Sequence, residues 1–258
     1  MLTEVKGLII RTVDLKESDR LLTIFTEEMG VLTALARGAR SFKSRKMSST
    51  MQFCYSSFVL FKKDDKYTVR ESELIESFYG IRDSIEGLAL AAYIAEILSD
   101  VTTTESDTGL LRLSLNTLYA ISTGKYPLPL VKAAFEIRAA SILGFMPEVR
   151  ACASCGETAG DCFFDIMGGY VECAGCRRAR ALEIPSEDDG ERRIVRILSE
   201  GARTALGYCI HCPQERIFSF RLTGEDAELF TRAAEDYLLN QLERSYKTLD
   251  FYNQVKRS

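Results

Sequence analysis

Glu4-Val-Lys-Gly-Leu-Ile-Ile-Arg-Thr-Val13 begins a run of short segments rich in Val, Ile, Thr, Phe and Tyr. Leu21–Thr26, Val31–Ala36, Phe53–Phe61 and Lys66–Glu71 continue it. Such residues suit pleated, half-buried strands. Gly30 supplies a tight turn between the second and third segments, and Asp64-Asp65 one between the fourth and fifth. The second segment also fits helical spacing through Leu21, Leu22 and Phe25. Five strands over so short a stretch predict a small barrel, for which the five-stranded OB-fold is the natural candidate, although periodicity alone does not separate it from other small barrels.

Beyond Ile81 the apolar period changes. Leu90, Ile94, Ile97 and Val101 form one helical stripe, and Leu111, Leu115 and Leu118 a second. Leu130, Ala134 and Ile137 form a third, set off by Pro127 and Pro129 before it and by Gly144 and Pro147 after it. A cysteine-bearing loop is expected from Ala151 to about Arg178. Helical spacing resumes at Ile194, Ile197 and Leu198 behind a capping signal at Ser186–Asp189. A last helix is expected from about Glu225 to Arg244, with Thr223 as its N-cap. The fold class is therefore α+β, with a barrel domain over residues 1–80 and a helical domain over 81–258 that carries a cysteine loop at about 150–180.

The chain has 258 residues, 46% hydrophobic and 27% charged, which excludes wholesale disorder and collagen-like structure. Gly87–Leu98 is the most apolar stretch, but Glu96 interrupts it and it falls short of a membrane span. The N-terminus has no signal-peptide pattern, so a cytoplasmic protein is expected. Net charge is −4, yet residues 1–70 carry 13 Lys or Arg against 8 Asp or Glu. That excess points to a basic module that meets a polyanion, joined to an acidic body.

Six of the eight cysteines form C-x-x-C pairs. Cys152-Ala-Ser-Cys155 and Cys173-Ala-Gly-Cys176, with 17 residues between them, have the spacing of a closed four-thiolate zinc site. Gly156 and Gly175 favour the tight turns that such pairs need. Four protein sulfurs leave no open position, so one structural zinc per chain is expected; a redox pair or four free thiols are the alternatives. Cys209-Ile-His-Cys212 has no second pair to complete it and reads as helix core with an ordinary imidazole.

Arg37, Arg40, Lys43, Arg45 and Lys46 lie within ten residues that contain no acid. A basic loop with Gly and Ser can track a phosphate backbone, and Phe42 offers a stacking face. A solvated loop is the bland alternative. Phosphate-loop, dinucleotide, nucleophile-elbow and H-E-x-x-H motifs are absent, and the chain has one His, so no catalytic activity is expected.

Gly7–Arg11, Glu17-Ser-Asp-Arg-Leu-Leu22, Ala36–Arg40, Glu73–Phe78, Leu143-Gly-Phe-Met-Pro147 and Lys247–Tyr252 together resemble the bacterial RecO family of recombination mediators, in its zinc-carrying form. The chain departs from the family's pattern at Ser41-Phe42 and at Gln52-Phe53-Cys54. The resemblance implies an OB-fold, a helical domain supported by zinc, binding of single- and double-stranded DNA, and strand annealing. It implies two protein partners, RecR and the C-terminal tail of the single-stranded DNA-binding protein, in helping RecA onto coated DNA. No membrane or nucleotide partner follows from it, and its setting is the bacterial nucleoid. The rival reading is a zinc-stabilised adaptor that binds protein and not DNA.

Overall fold

The computed structural model describes residues 1–15, 17–102, 107–183 and 193–256. Its first five strands are β1 (Leu2–Leu15), β2 (Asp19–Thr26), β3 (Gly30–Ala36), β4 (Tyr55–Lys63) and β5 (Lys66–Glu76). They close into a barrel of order β1-β2-β3-β5-β4, as the N-terminal segments predict. All neighbours are antiparallel except β3 and β5, which pair in parallel. The second segment is a strand, its ambiguity resolved by seven cross-strand partners on β3. Gly30 and Asp64 both adopt positive φ at the two expected turns.

The interior follows the alternation of the sequence. Val5, Ile9, Leu22, Ile24, Phe58 and Leu60 are buried inside the barrel. In β1 alternation breaks at Leu8-Ile9-Ile10, all buried, because the register shifts between Ile9 and Arg11. Such a bulge turns successive side chains off the strict two-residue alternation. Gly7 is required on β1: a Cβ there would meet Ile24 Cγ2 at 2.5 Å and the Phe25 carbonyl at 2.9 Å.

Three helices belong to the same compact unit as the barrel, which comprises Met1–Lys125 and Tyr246–Ser258. Helix α1 (Ile85–Val101) is capped by Ser84, whose hydroxyl accepts from the Gly87 N–H. Helix α2 (Thr108–Thr123) is capped by Asp107, which accepts from the Leu110 N–H at 2.8 Å. The helix α7 (Lys247–Val255) packs on α1 from the far end of the sequence. This compact unit includes residues beyond 80.

The second unit, Tyr126–Ser245, holds the cysteine insert. Its helices are α3 (Leu128–Ile142), α4 (Ala174–Glu183), α5 (Glu200–His211) and α6 (Gly224–Leu242). Thr223 stands at the N-cap of α6 but makes no side-chain capping bond. Inside α3, Lys132 and Glu136 are buried and paired at 2.7 Å, and Lys132 also pairs with Glu235 of α6 at 2.7 Å.

Two expectations are corrected here. The stretch from 151 to 178 is not a loop: it contributes to a four-stranded sheet of order β6-β8-β7-β9 and the start of α4. Its strands are β6 (Glu148–Cys152), β7 (Cys162–Asp165), β8 (Tyr170–Cys173) and β9 (Val195–Leu198). The spacing of Ile194, Ile197 and Leu198 therefore marks a strand, since β9 pairs antiparallel with β7. The Ser186–Asp189 signal lies outside the described residues.

Candidate metal centre and nucleic-acid interface

Cys152, Cys155, Cys173 and Cys176 converge so that their sulfurs all lie within 4.8 Å of one another. The last residue of β6 supplies Cys152 and the last of β8 supplies Cys173. These two strands are parallel neighbours, so the sheet itself brings the two C-x-x-C pairs together. Gly156, at φ +77°, allows the turn after Cys155, and its N–H donates to the Cys152 carbonyl at 2.9 Å. Gly175 instead lies in helix α4 with no positive φ, so the second pair is shaped by a helix start and not by a glycine turn.

Backbone donors are already aimed at the sulfurs. The Cys173 N–H donates to Cys152 Sγ at 3.3 Å, and the Cys176 N–H to Cys173 Sγ at 3.4 Å. Burial raises the Cys152 thiol, but the N–H groups of Cys173, Cys155 and Ser154 outweigh it and bring the group down to about 6. Hydrogen bonds with Cys155 and Cys173 push Cys176 up to about 12. Four sulfurs this close cannot all ionise without a cation among them. A divalent ion bound by these four residues would take the place of their protons, which is how thiolate sites couple metal binding to proton release. Cys155 Sγ and Cys173 Sγ stand 3.7 Å apart. A tetrahedron with Zn–S near 2.3 Å has an edge of about 3.8 Å, so the donor set and its spacing fit zinc.

The other cysteines stand apart from this cluster. Cys162 lies opposite Cys173 on β7, buried, with its thiol pushed up to about 11 mainly by that burial. Cys209 and Ile210 are buried in α5 and His211 is exposed, as the bland reading of that pair expects. Arg138 donates to the Cys212 carbonyl and to its sulfur.

The basic loop follows β3 directly. Gly38, at φ +62°, turns the chain, and its N–H donates to Asp19 Oδ1 at 2.8 Å. Successive turns carry it onward, with the Ser41 N–H donating to the Gly38 carbonyl and the Ser44 N–H to the Ser41 carbonyl. Arg37, Arg40, Lys43 and Arg45 are exposed. Phe42 is 94% exposed, a rare fate for an aromatic ring. Arg40 pairs with Asp14 at 3.2 Å, which offsets part of its charge. Lys46 is half-buried and donates to the Val69 carbonyl at 2.9 Å, so it also anchors the loop to β5.

A cleft of about 840 Å³ opens beside Arg37 and Lys46 on the barrel surface. Lys63, Lys66 and Arg70 line it too. Sequence reasoning does not single out these three, because Lys63 and Lys66 flank the Asp64-Asp65 turn and Arg70 lies within the Lys66–Glu71 segment. For Lys63 and Lys66 the available signal is the pair of cations flanking that turn.

Two family models match the chain: the one described as Recombination protein O N terminal over residues 1–78, and Recombination protein O C terminal over residues 82–250. The chain is 38% identical over 256 residues to DNA repair protein RecO of Acetivibrio thermocellus, covering 98% of this chain and 97% of the relative. It is 31% identical over 264 residues to DNA repair protein RecO of Symbiobacterium thermophilum, with 99% and 98% covered. It is 34% identical over 178 residues to that of Alkaliphilus metalliredigens, with 68% and 72% covered.

Proposed function

The chain belongs to the RecO family of DNA repair proteins, and from that premise we propose that it is a non-enzymatic mediator that binds DNA, anneals complementary strands and, with RecR, helps RecA onto strands coated by single-stranded DNA-binding protein. The observation that carries this reading is the exposed cationic loop Arg37–Arg45 on an OB-type barrel. Annealing brings two polyanions together. A protein that promotes it must screen phosphate repulsion and leave base edges free to pair. Flexible cations on a rigid barrel do this without fuel, and the sequence carries no phosphate loop with which to use ATP.

The four-cysteine cluster fits one structural zinc on Cys152, Cys155, Cys173 and Cys176. When bound, the ion supplies a crosslink between β6, β8 and α4. The chain's own residues do the rest, with N–H donors at Cys173 and Cys176 fixing the thiolates. The acidic remainder of the chain adds no attraction for DNA, and protein partners are assigned to it: RecR and the single-stranded DNA-binding protein's tail.

The test is annealing of complementary strands coated with single-stranded DNA-binding protein, with and without RecR and with and without ATP. Expected are salt-suppressed annealing that ignores ATP, and a gain with RecR. A mobility shift on bare single strands at two salt concentrations accompanies it. No shift at either salt would favour the adaptor reading.

A further inference from the structure

The pair Cys209-Ile-His-Cys212 has no part in the metal cluster, and its two thiols stand in unlike surroundings. Cys209 is fully buried in the last turn of α5, as helix core should be, and burial there pushes its thiol up. Buried structural cysteines of that kind are inert. Cys212 is different. It is half-buried between the exposed residues His211 and Pro213, at the C-cap of the helix. One guanidinium nitrogen of Arg138, on α3, donates to the Cys212 carbonyl and to its sulfur, the latter at 3.4 Å. The Nε of that guanidinium is buried without a hydrogen-bond partner among the described residues. A guanidinium against a thiol favours the thiolate, and here it also offsets the negative end of α5.

The spacing puts a second thiol within reach. Side chains three apart on a helix have Cβ atoms about 5–6 Å apart, and a disulfide needs about 3.5–4.5 Å. The Cys212 N–H still donates to the Tyr208 carbonyl at 2.9 Å, but beyond it the backbone turns extended, at ψ 157°, and Pro213 follows. Helical bonding therefore holds Cys212 from one side only, and the C-cap can give the remaining distance of about 1–2 Å. A bond closed against such resistance is readily reduced again. A half-exposed thiol beside a guanidinium, with a resolving thiol one turn away, is the arrangement of a redox-reactive cysteine pair.

We propose that Cys212 and Cys209 form a redox modification site for small hydroperoxides, in which Cys212 is oxidised and Cys209 closes a reversible disulfide with it. The Cys212 thiolate attacks one peroxide oxygen. The S–O bond forms as the O–O bond breaks, and the departing hydroxide or alkoxide takes up the proton that Cys212 released. The Cys209 sulfur then attacks Cys212 Sγ. The S–S bond forms, the S–O bond breaks, and hydroxide leaves with the Cys209 proton as water. The two thiols together lose two electrons, which reduce the peroxide. An external dithiol reverses the bond by exchange and is itself left as a disulfide. Closing the bond draws Cys212 Sγ off Arg138, so the contact between α3 and α5 is what the modification alters. The inference is independent of the DNA-binding reading.

The experiment uses the reduced full chain at neutral pH, treated with a small excess of hydrogen peroxide, alkylated and mapped by peptide mass. Expected is a Cys209–Cys212 bridge that dithiothreitol removes. In Cys209→Ala the sulfenic acid has no resolving thiol, and dimedone should capture it at Cys212. In Arg138→Gln, iodoacetamide should label reduced Cys212 about three- to fivefold more slowly, since thiolate is lost while what remains is the better nucleophile. Cys209 reports on folding in that variant, because it stays unlabelled while α5 is intact. If Arg138→Gln exposes Cys209, the bridge and the dimedone capture decide. Absence of the bridge or of the adduct, or a bridge from Cys212 to one of the four clustered cysteines, would overturn the proposal. An unchanged labelling rate in folded Arg138→Gln would overturn the part given to Arg138.

Discussion

Cys155 Sγ lies 3.7 Å from Cys173 Sγ, although the two residues belong to different C-x-x-C pairs. Neither pair could hold a closed tetrahedron alone, so the parallel contact of β6 with β8 creates the site. Cys155→Ser should therefore lower bound metal to a small fraction of one equivalent and loosen the insert, since binding energy here is folding energy. Cys209→Ser lies outside the cluster and should retain full metal content. Metal analysis of protein purified without chelator, followed by cobalt substitution and its thiolate charge-transfer absorption, reads both. Full metal in Cys155→Ser would disprove the assignment.

The buried carboxylate of Glu136 meets Lys132 Nζ at 2.7 Å within α3. Burial works against the Lys132 charge, but Glu136 and Glu235 outweigh it and raise its pKa. Lys132→Met would take this cation away from the buried Glu136. Removing one partner of a buried pair typically costs about 3–5 kcal/mol. Denaturant titration should show a loss of that order, and a loss below about 1 kcal/mol would contradict the burial argument.

Alkaline pH should act on the same unit. Burial pushes the Tyr237 phenol up to about 12, and its hydroxyl donates to the Phe145 carbonyl at 3.0 Å. In the unfolded chain the phenol ionises near pH 10. Between about pH 10 and 12 the unfolded state thus binds fewer protons than the folded one, so stability falls as pH rises. Lys132, also raised, acts in the same direction. Melting temperature should decline as pH rises above 10, and Tyr237→Phe should make that decline shallower. An unchanged slope in Tyr237→Phe would show that the phenol is not the titrating group.

The barrel was legible because its strands are long enough to display alternation and its turns carry Gly30 and Asp64. That the four cysteines would cluster was legible from their spacing alone. The sheet that positions them was not, since β7 and β8 have four residues each, too few for a period to emerge. For Ile194, Ile197 and Leu198, three apolar residues match a helical stripe by number, and only pairing with β7 decides the matter. The cleft was illegible for another reason. Leu21 and Leu35 lie inside apolar segments, and that they face outward follows from the register of β2 with β3.

Helix α7 was missed as well, because nine residues carry few apolar positions, and its partner lies about 150 residues away. The Thr248 N–H donates to Glu96 at 3.1 Å, and the Tyr246 hydroxyl to Asp100 at 3.0 Å. Leu249 and Tyr252 are buried with them. Truncation after Ser245 should therefore destabilise the N-terminal unit, even though the cut is remote from the barrel in sequence. Hydrogen exchange should show faster exchange in α1 (Ile85–Val101), with the exchange of α3 (Leu128–Ile142) unchanged. Unaltered protection in α1 would mean that the C-terminal helix contributes nothing to that unit.

The loop cations should not be equivalent. Lys43 and Arg45 are exposed, and neither takes part in an ion pair among the described residues. Lys46 instead donates to Val69 at the loop's base, and Arg40 is partly offset by Asp14. Each phosphate contact contributes about −0.7 to the slope of log affinity against log salt on single strands. The double variant Lys43→Gln, Arg45→Gln should therefore flatten that slope by roughly 1.4 and weaken binding to all sequences alike. Lys46→Gln should do something different. It loses one contact at most, but it also frees the Val69 carbonyl and the foot of the loop, so part of its effect should persist at high salt where screening has removed the electrostatic share. Anisotropy titrations across a salt series separate the two kinds of loss. If the double variant keeps the wild-type slope, the loop is merely solvated, and the DNA surface must be sought elsewhere on the barrel.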